Sequence, residues 1–399
     1  MPEQWLACLV CGAQFDLGPL FAGCPQCARQ NRKAALEVRY EYQKVDLLSA
    51  NLTAPGIWRW RALLPRVSEE NAVSLHEGGT PLVKLAGWNV PGSLYLKNET
   101  VNPTWSYKDR ANCISISLAR QFGFQNIATM STGNHGSAAA AYSSAGHLQC
   151  VVFCHEDAPD LQLALMSFYG AKVLRGGQRD EMLLGLVSRG GWFPSSIICP
   201  RRGCSNPYGV EGFKTIAFEI FHQLGNRAPE RVFVPVGSGD GLYGIYKGFV
   251  ELQRLGLTER IPRMYACQAS GANPYVRAFR ARAPRLVPVD SANTIALSIA
   301  EKIGGEPALR ALYESEGEAL DVDDEAILSA QRALARQGFA LEPASATALA
   351  CAQKLASQSA EPESWVVIGT GTAVRWPDSL RRDFSMPDKL PFDFLVTSI

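Results

Sequence analysis

From residue 127 onward the chain alternates short apolar runs with longer amphipathic ones. Ile127 to Met130, Cys150 to Cys154, Ala171 to Leu174, Arg231 to Val236, Met264 to Gln268 and Trp365 to Ile368 read as strands. Asp160 to Phe168, Glu211 to Leu224, Asp323 to Gln337 and Ala344 to Ala356 read as the helices between them. Strands apolar throughout their length and separated by helices predict parallel sheets covered on both faces, an α/β fold. At 399 residues the chain is long enough for two domains around a large core. No internal repeat, low-complexity segment or long linker interrupts the pattern.

Chemistry enters where the pattern breaks. A strand-like run, Ser93 to Lys97, and a turn-forming segment, Asn98 to Thr104, precede Ser106-Tyr107-Lys108-Asp109-Arg110. The spacing of Ala111, Ile114 and Leu118 then predicts a helix with Lys108 in its first turn. A helix N-terminus carries partial positive charge and free backbone N–H groups, which favour the neutral amine and an anion nearby. A neutral lysine is a nucleophile that condenses with aldehydes, and the common biological aldehyde held this way is pyridoxal phosphate. Taken alone, a first-turn lysine is usually just a solvated one.

Two glycine turns change that weighting. Ser131-Thr132-Gly133-Asn134-His135-Gly136 follows the strand ending at Met130 and opens a small-residue helix, Ser137 to Ala145. Pro235-Val236-Gly237-Ser238-Gly239-Asp240-Gly241-Leu242 links the strand from Arg231 to a helix through Phe249. Strand, glycine turn, helix is a geometry that aims backbone N–H groups at an anion, and the second turn is the better phosphate cradle. Asp240 is awkward there, since an acid repels phosphate. Its side chain either turns outward or binds a positive group of the substrate.

The charge balance, Lys+Arg 39 against Asp+Glu 38, leaves no footprint for nucleic acid or an anionic membrane and points to a small-molecule protein. The start, MPEQWLACLVCG, carries no leader pattern, and no run approaches the roughly 18 apolar residues of a membrane span. A cytoplasmic protein is expected. Its eleven cysteines are odd in number, and four of them, Cys8, Cys11, Cys24 and Cys27, form C-x2-C-x12-C-x2-C. Two such tight turns can place four thiolates around one structural Zn2+ ion, against a metal-free remnant of a ribbon as the alternative.

Lys108 in SYKDR, STGNHGSAAAAYSSAG, NPYGVEGFKT, PVGSGDGLYGIYKGF and VVIGTGTAVRWPD together resemble the fold type II pyridoxal-phosphate enzymes, most closely the threonine synthase family. The similarity runs in one order from about Glu77 to Asp378. It implies two domains with parallel-rich sheets, like the tryptophan synthase β chain. The smaller would span 98–225 and carry Lys108 and Asn134; the larger would combine 36–97 with 226–399; a zinc-ribbon-like module would occupy 1–35. It also implies a homodimer and a small amino-acid substrate.

Residue by residue, the resemblance makes Lys108 the cofactor anchor and α-proton base. Asn134 becomes a donor to the cofactor's phenolic oxygen, Gly237 to Leu242 the phosphate cradle, and Thr370 the hydroxyl partner of the pyridine nitrogen. Thr80 in EGGTPL, Ser131, Thr132, His135, Asn206 and Lys214 become candidate substrate contacts. Tyr107 could line the pocket. The family commonly has a threonine where this chain has His135, and an arginine, a bidentate partner for a second phosphate, where it has Gly209. The implied activity is therefore threonine synthase-like, O-phosphohomoserine to threonine plus phosphate. A β-eliminating ammonia lyase, a β-replacement enzyme of the cysteate synthase kind and a catalytically silent cofactor-binding relative stay open.

Overall fold

The computed structural model describes residues 2–47, 54, 56–196, 206–358 and 361–381. The chain opens with three short strands and a helical turn: β1 (Gln4–Cys8), β2 (Gln14–Phe15), α1 (Pro25–Arg29) and β3 (Leu36–Tyr40). Then come β4 (Leu82–Leu85), β5 (Gly92–Asn98), α2 (Lys108–Gln121), β6 (Asn126–Met130), α3 (Asn134–Ala145), β7 (Gln149–Cys154), α4 (Asp160–Phe168), β8 (Lys172–Arg175), α5 (Arg179–Ser188) and β9 (Trp192–Pro194). The second half holds α6 (Gly209–Gln223), β10 (Arg231–Pro235), α7 (Asp240–Arg254), β11 (Arg263–Ala269), α8 (Pro274–Arg280), α9 (Glu306–Glu314) and β12 (Glu318–Val322). It closes with α10 (Asp324–Ala335), α11 (Pro343–Ala356), β13 (Glu363–Gly369) and α12 (Pro377–Arg381).

Three sheets result. β2-β1-β3 is a small antiparallel ribbon; β8-β7-β6-β9 is fully parallel; β12-β11-β10-β13-β5-β4 is parallel except at its edge, where β4 runs antiparallel to β5. Val232, Phe233 and Val234 on β10 are all fully buried, as a central strand covered on both faces requires. A local apolar run does not tell an edge strand's direction, so the antiparallel β4 is a feature of the tertiary pairing. No helix of the described residues is long and apolar enough to cross a membrane.

Helix α6 lies between α2 and α7, and these three helices carry charges into the interior. Arg110 on α2 is fully buried, with Nε 2.7 Å from Glu99 and Nη1 2.8 Å from Glu219 of α6. Lys97 of β5, also fully buried, reaches Glu219 at 2.7 Å and donates to the Thr80 carbonyl at 2.6 Å. Burial pushes the Glu219 carboxyl up, but Arg110 and Lys97 outweigh it and hold it well below the usual carboxylate range. A second buried cluster joins Glu211 and Lys214 of α6 to Lys247 and Glu251 of α7, with the Tyr40 hydroxyl of the ribbon donating to Glu211 at 2.6 Å. These charges tie the ribbon and β5 of the six-stranded sheet to one trio of helices.

Candidate active site

Lys108 is the first residue of α2 and Tyr107 its cap. Two tertiary contacts hold this start. The Tyr107 N–H donates to the Thr370 carbonyl at 2.9 Å, and Ser106 bridges to Gly371, just past the end of β13. On the inner side Asp109, in the first turn, ties the helix to the preceding loop, accepting from the Thr104 N–H at 2.6 Å and from the Thr104 hydroxyl. Its complete burial pushes the carboxyl up to about 7 in spite of those bonds. The Lys108 Nζ lies 4.9 Å from the Tyr107 ring and 5.3 Å from the Phe213 ring, which pack on each other with centroids 4.7 Å apart.

The glycine turn from β10 to α7 abuts the Tyr107 ring beside this amine. Gly239 caps α7 with φ 98°, a left-handed conformation that favours glycine; a Cβ there would meet the Tyr275 hydroxyl at 2.2 Å and Ala308 at 2.7 Å. The Tyr275 hydroxyl in turn contacts the Ser238 carbonyl at 2.9 Å and accepts from the Gly305 N–H at 2.8 Å, fixing the turn. Asp240, Gly241 and Leu242 form the first turn of α7, where N–H groups lack intrahelical acceptors. Gly237 and Gly241 are packed tightly: a Cβ on Gly237 would stand 3.1 Å from Glu301 Cγ, and one on Gly241 would stand 2.6 Å from Tyr107 Cε2. The first turn of α7 therefore touches the residue beside Lys108.

The other glycine turn closes the site from the four-stranded sheet. The Gly133 N–H donates to Ser131 Oγ at 3.2 Å, Thr132 is half-buried, and Asn134 opens α3. Asn134 is 6% exposed; its Nδ2 donates to both oxygens of Glu342, at 3.0 and 3.2 Å, while its buried Oδ1 has no protein partner. His135 contacts Asn112 through Nδ1 at 3.4 Å and Ser195 Oγ through Nε2 at 3.3 Å. Burial, then the neighbouring charge of Lys108, lowers its pKa to about 3, so the ring is neutral. Thr370 Oγ1 lies 2.9 Å from Ser345 Oγ, which also accepts from the Gly371 N–H at 2.8 Å.

Lys108, Asn134, His135, Thr370 and the 237–242 turn thus meet in one neighbourhood. Three expected substrate contacts do not face it. Thr80 is 1% exposed and spends its hydroxyl on Glu99, at 2.6 Å, and on Arg110. The fully buried Lys214 is locked between Glu211 and Glu251, because a buried ammonium needs carboxylate partners. Asn206 bonds the Pro194 carbonyl at 2.8 Å and accepts from the Tyr208 N–H at 3.0 Å, setting the start of α6. Sequence reasoning passed over Glu342 and Ser345, although Glu-Pro at a helix start with Ser three residues on is a helix-opening pattern. Beside Glu342 a cavity of about 580 Å3 is lined by Ser298, Thr294, Asp324, Asp160 and Trp376 among others.

In the ribbon, the four cysteine sulfurs lie within 4.8 Å of one another, with Cys8 to Cys27 and Cys11 to Cys24 both at 3.7 Å. A tetrahedron with metal–sulfur bonds of about 2.3 Å has edges of about 3.8 Å, so the thiol set fits a Zn2+ ion.

Known structures share this architecture. An L-serine ammonia-lyase from Rhizomucor miehei superposes with a TM-score of 0.65 at 21% identity, covering 77% of this chain and 98% of that one. The processed form of threonine deaminase isoform 2 from Solanum lycopersicum superposes with 0.65 at 20%, covering 84% and 97%. The fold is that of the fold type II pyridoxal-phosphate enzymes. At the sequence level, the family described as pyridoxal-phosphate dependent enzyme matches residues 73–371, and the chain belongs to that family. It is 36% identical over 402 residues to the threonine synthase of Methanocaldococcus jannaschii, covering 98% of this chain and 97% of the relative. It is 36% identical over 390 residues to that of Methanosarcina acetivorans, covering 94% and 93%.

Proposed function

We propose that this chain is a pyridoxal-phosphate-dependent lyase that converts O-phosphohomoserine and water to threonine and phosphate. The observation that carries the reading is the contact of Tyr107, beside Lys108, with Gly241 in the first turn of α7: one amine and one glycine turn, built from distant parts of the chain. Similarity to threonine synthases over nearly the whole chain supports the reaction.

When bound, the cofactor supplies an electron sink for a carbanion at the substrate α-carbon. Lys108 would be its covalent anchor, and the Lys108 Nζ, when free, would take the α-proton. Gly237, Ser238, Gly239, Asp240, Gly241 and Leu242 would hold the phosphate with main-chain N–H groups. Asn134 would address the phenolic oxygen through the second hydrogen of Nδ2, beside the one given to Glu342, and the Thr370 hydroxyl would address the ring nitrogen. A hydroxyl at that nitrogen does not enforce ring protonation, which suits eliminations at the β or γ carbon. Ser131, Thr132 and His135 line the substrate side. Cys8, Cys11, Cys24 and Cys27 would hold a structural Zn2+ ion, and a cytoplasmic homodimer is the form we expect.

A second reading is favoured by Gly209. It opens α6 against α2, with Ser115 Oγ 3.4 Å from where its Cβ would be, so this position carries no cationic side chain for a substrate phosphate. Elimination from serine, threonine or a related amino acid needs none. A product assay decides. Purified protein loaded with pyridoxal phosphate is given O-phosphohomoserine, O-phosphoserine, threonine, serine and diaminopropionate in turn. Threonine plus phosphate from the first supports the synthase; a keto acid plus ammonia from the others replaces it with the lyase. Unchanged spectra with every amino acid would leave a silent relative.

A further inference from the structure

The α11 start is built around two side chains three residues apart, Glu342 and Ser345, on one face of a helix end. Ser345 holds Thr370 and Gly371, and Glu342 holds Asn134, 208 positions earlier in the chain. We propose that Glu342 is a positioning residue for cofactor binding that works through Asn134, by fixing which way the Asn134 amide points. The inference rests on the cofactor reading given above and deepens it.

An asparagine amide can present either its N–H2 or its oxygen in a given direction, and the two ends differ little in shape. Burial raises the pKa of the Glu342 carboxyl, while donation from Asn134 and Ser298 favours its ionised form; in that form it accepts only, so it meets the Nδ2 end and not Oδ1. Glu342 is 1% exposed and is itself held: its Oε2 accepts from Ser298 Oγ at 3.0 Å, and its backbone N–H donates to the Gly371 carbonyl at 3.1 Å. The pair is also clamped sterically. A Cβ on Gly371 would lie 2.9 Å from Asn134 Nδ2 and 2.9 Å from Glu342 Oε1, so the backbone presses on this hydrogen bond. Both Nδ2 contacts run to one carboxylate, which leaves the amide's second N–H for another acceptor. An ionised phenolic oxygen is such an acceptor. A flipped amide would set oxygen against oxygen.

Glu342→Gln keeps size and shape but offers both a donor and an acceptor, so the amide loses its enforced direction. The test compares wild type, Glu342→Gln, Asn134→Ala, the double variant and Ser298→Ala. Each is titrated with pyridoxal phosphate, and the visible absorbance band is followed with pH. Cofactor-free unfolding midpoints report folding separately. In Glu342→Gln we expect about tenfold weaker cofactor binding and a displaced pH midpoint of the band, the scale of one charge-assisted hydrogen bond. Asn134→Ala gives a similar change, and the double variant is no worse than Asn134→Ala alone. Ser298→Ala shifts the band in the same direction by less, and keeps the test open should Glu342→Gln not fold. Additive losses in the double variant, or wild-type band and affinity in Glu342→Gln, overturn the proposal. A wild type with no band dependent on Lys108 overturns the cofactor reading itself, and the proposal with it.

Discussion

The contact between Gly241 and Tyr107 makes Gly241→Ala an informative perturbation. The added Cβ would sit 2.6 Å from Tyr107 Cε2, where carbon atoms prefer about 3.5 to 4 Å, so ring and helix must part by about 1 Å. The ring cannot swing aside freely, because its other side packs on Phe213 with centroids 4.7 Å apart. Overpacking of this kind costs about 1–3 kcal/mol of stability. The larger effect falls on function. Tyr107 is bonded to Lys108 and its N–H is held by Thr370, so the strain moves the amine relative to the cradle, and a displacement of about 1 Å costs about 100-fold in a positioned reaction. Urea unfolding of the cofactor-free protein reads the first quantity, and pyridoxal phosphate titration with turnover reads the second. Tyr107→Leu in the same chain removes the clash and should restore most of the lost stability. Wild-type stability and turnover in Gly241→Ala would refute the reasoning, as would a double variant no better than the single one.

Three further outcomes follow from the buried charges and thiols. Arg110→Leu leaves Glu99 and Glu219 without their main partner and should cost about 3–5 kcal/mol near neutral pH by urea unfolding. Because Glu219 has a depressed pKa, its pairing contributes stability above about pH 4 that is lost as pH falls, so the deficit of Arg110→Leu should shrink toward acid. A deficit that does not vary with pH would contradict this. His135, with its pKa lowered to about 3, should show no imidazole titration by NMR between pH 5 and 8, in contrast to an ordinary histidine near 6.5. Elemental analysis should find one zinc per chain, absent in Cys8→Ser. Removing it should lower the melting temperature through the ribbon's contact with Glu211, and a metal-free protein of unchanged stability would count against the site.

Much of this molecule was legible along the chain, because the signals are local. The run from Arg231 and the glycines after it specify strand, turn and helix within a few residues, and the same holds for Lys108 at the head of α2. The two cysteine pairs announced their cluster by spacing alone. Backbone conformation over five to ten positions depends on neighbours in sequence, so periodicity and turn residues suffice to read it.

Partnership is decided elsewhere. Thr80, Asn206 and Lys214 sit in motifs that resemble a substrate site, yet their polar atoms are committed to Glu99, Pro194 and Glu211. Which charges enter the interior with Arg110, and that Glu342 faces Asn134 and Ser345 faces Thr370, follows from packing α2, α3, α6 and α11 together. A buried polar group must find its partner wherever folding brings one, often hundreds of residues away, and no window of sequence contains that pairing.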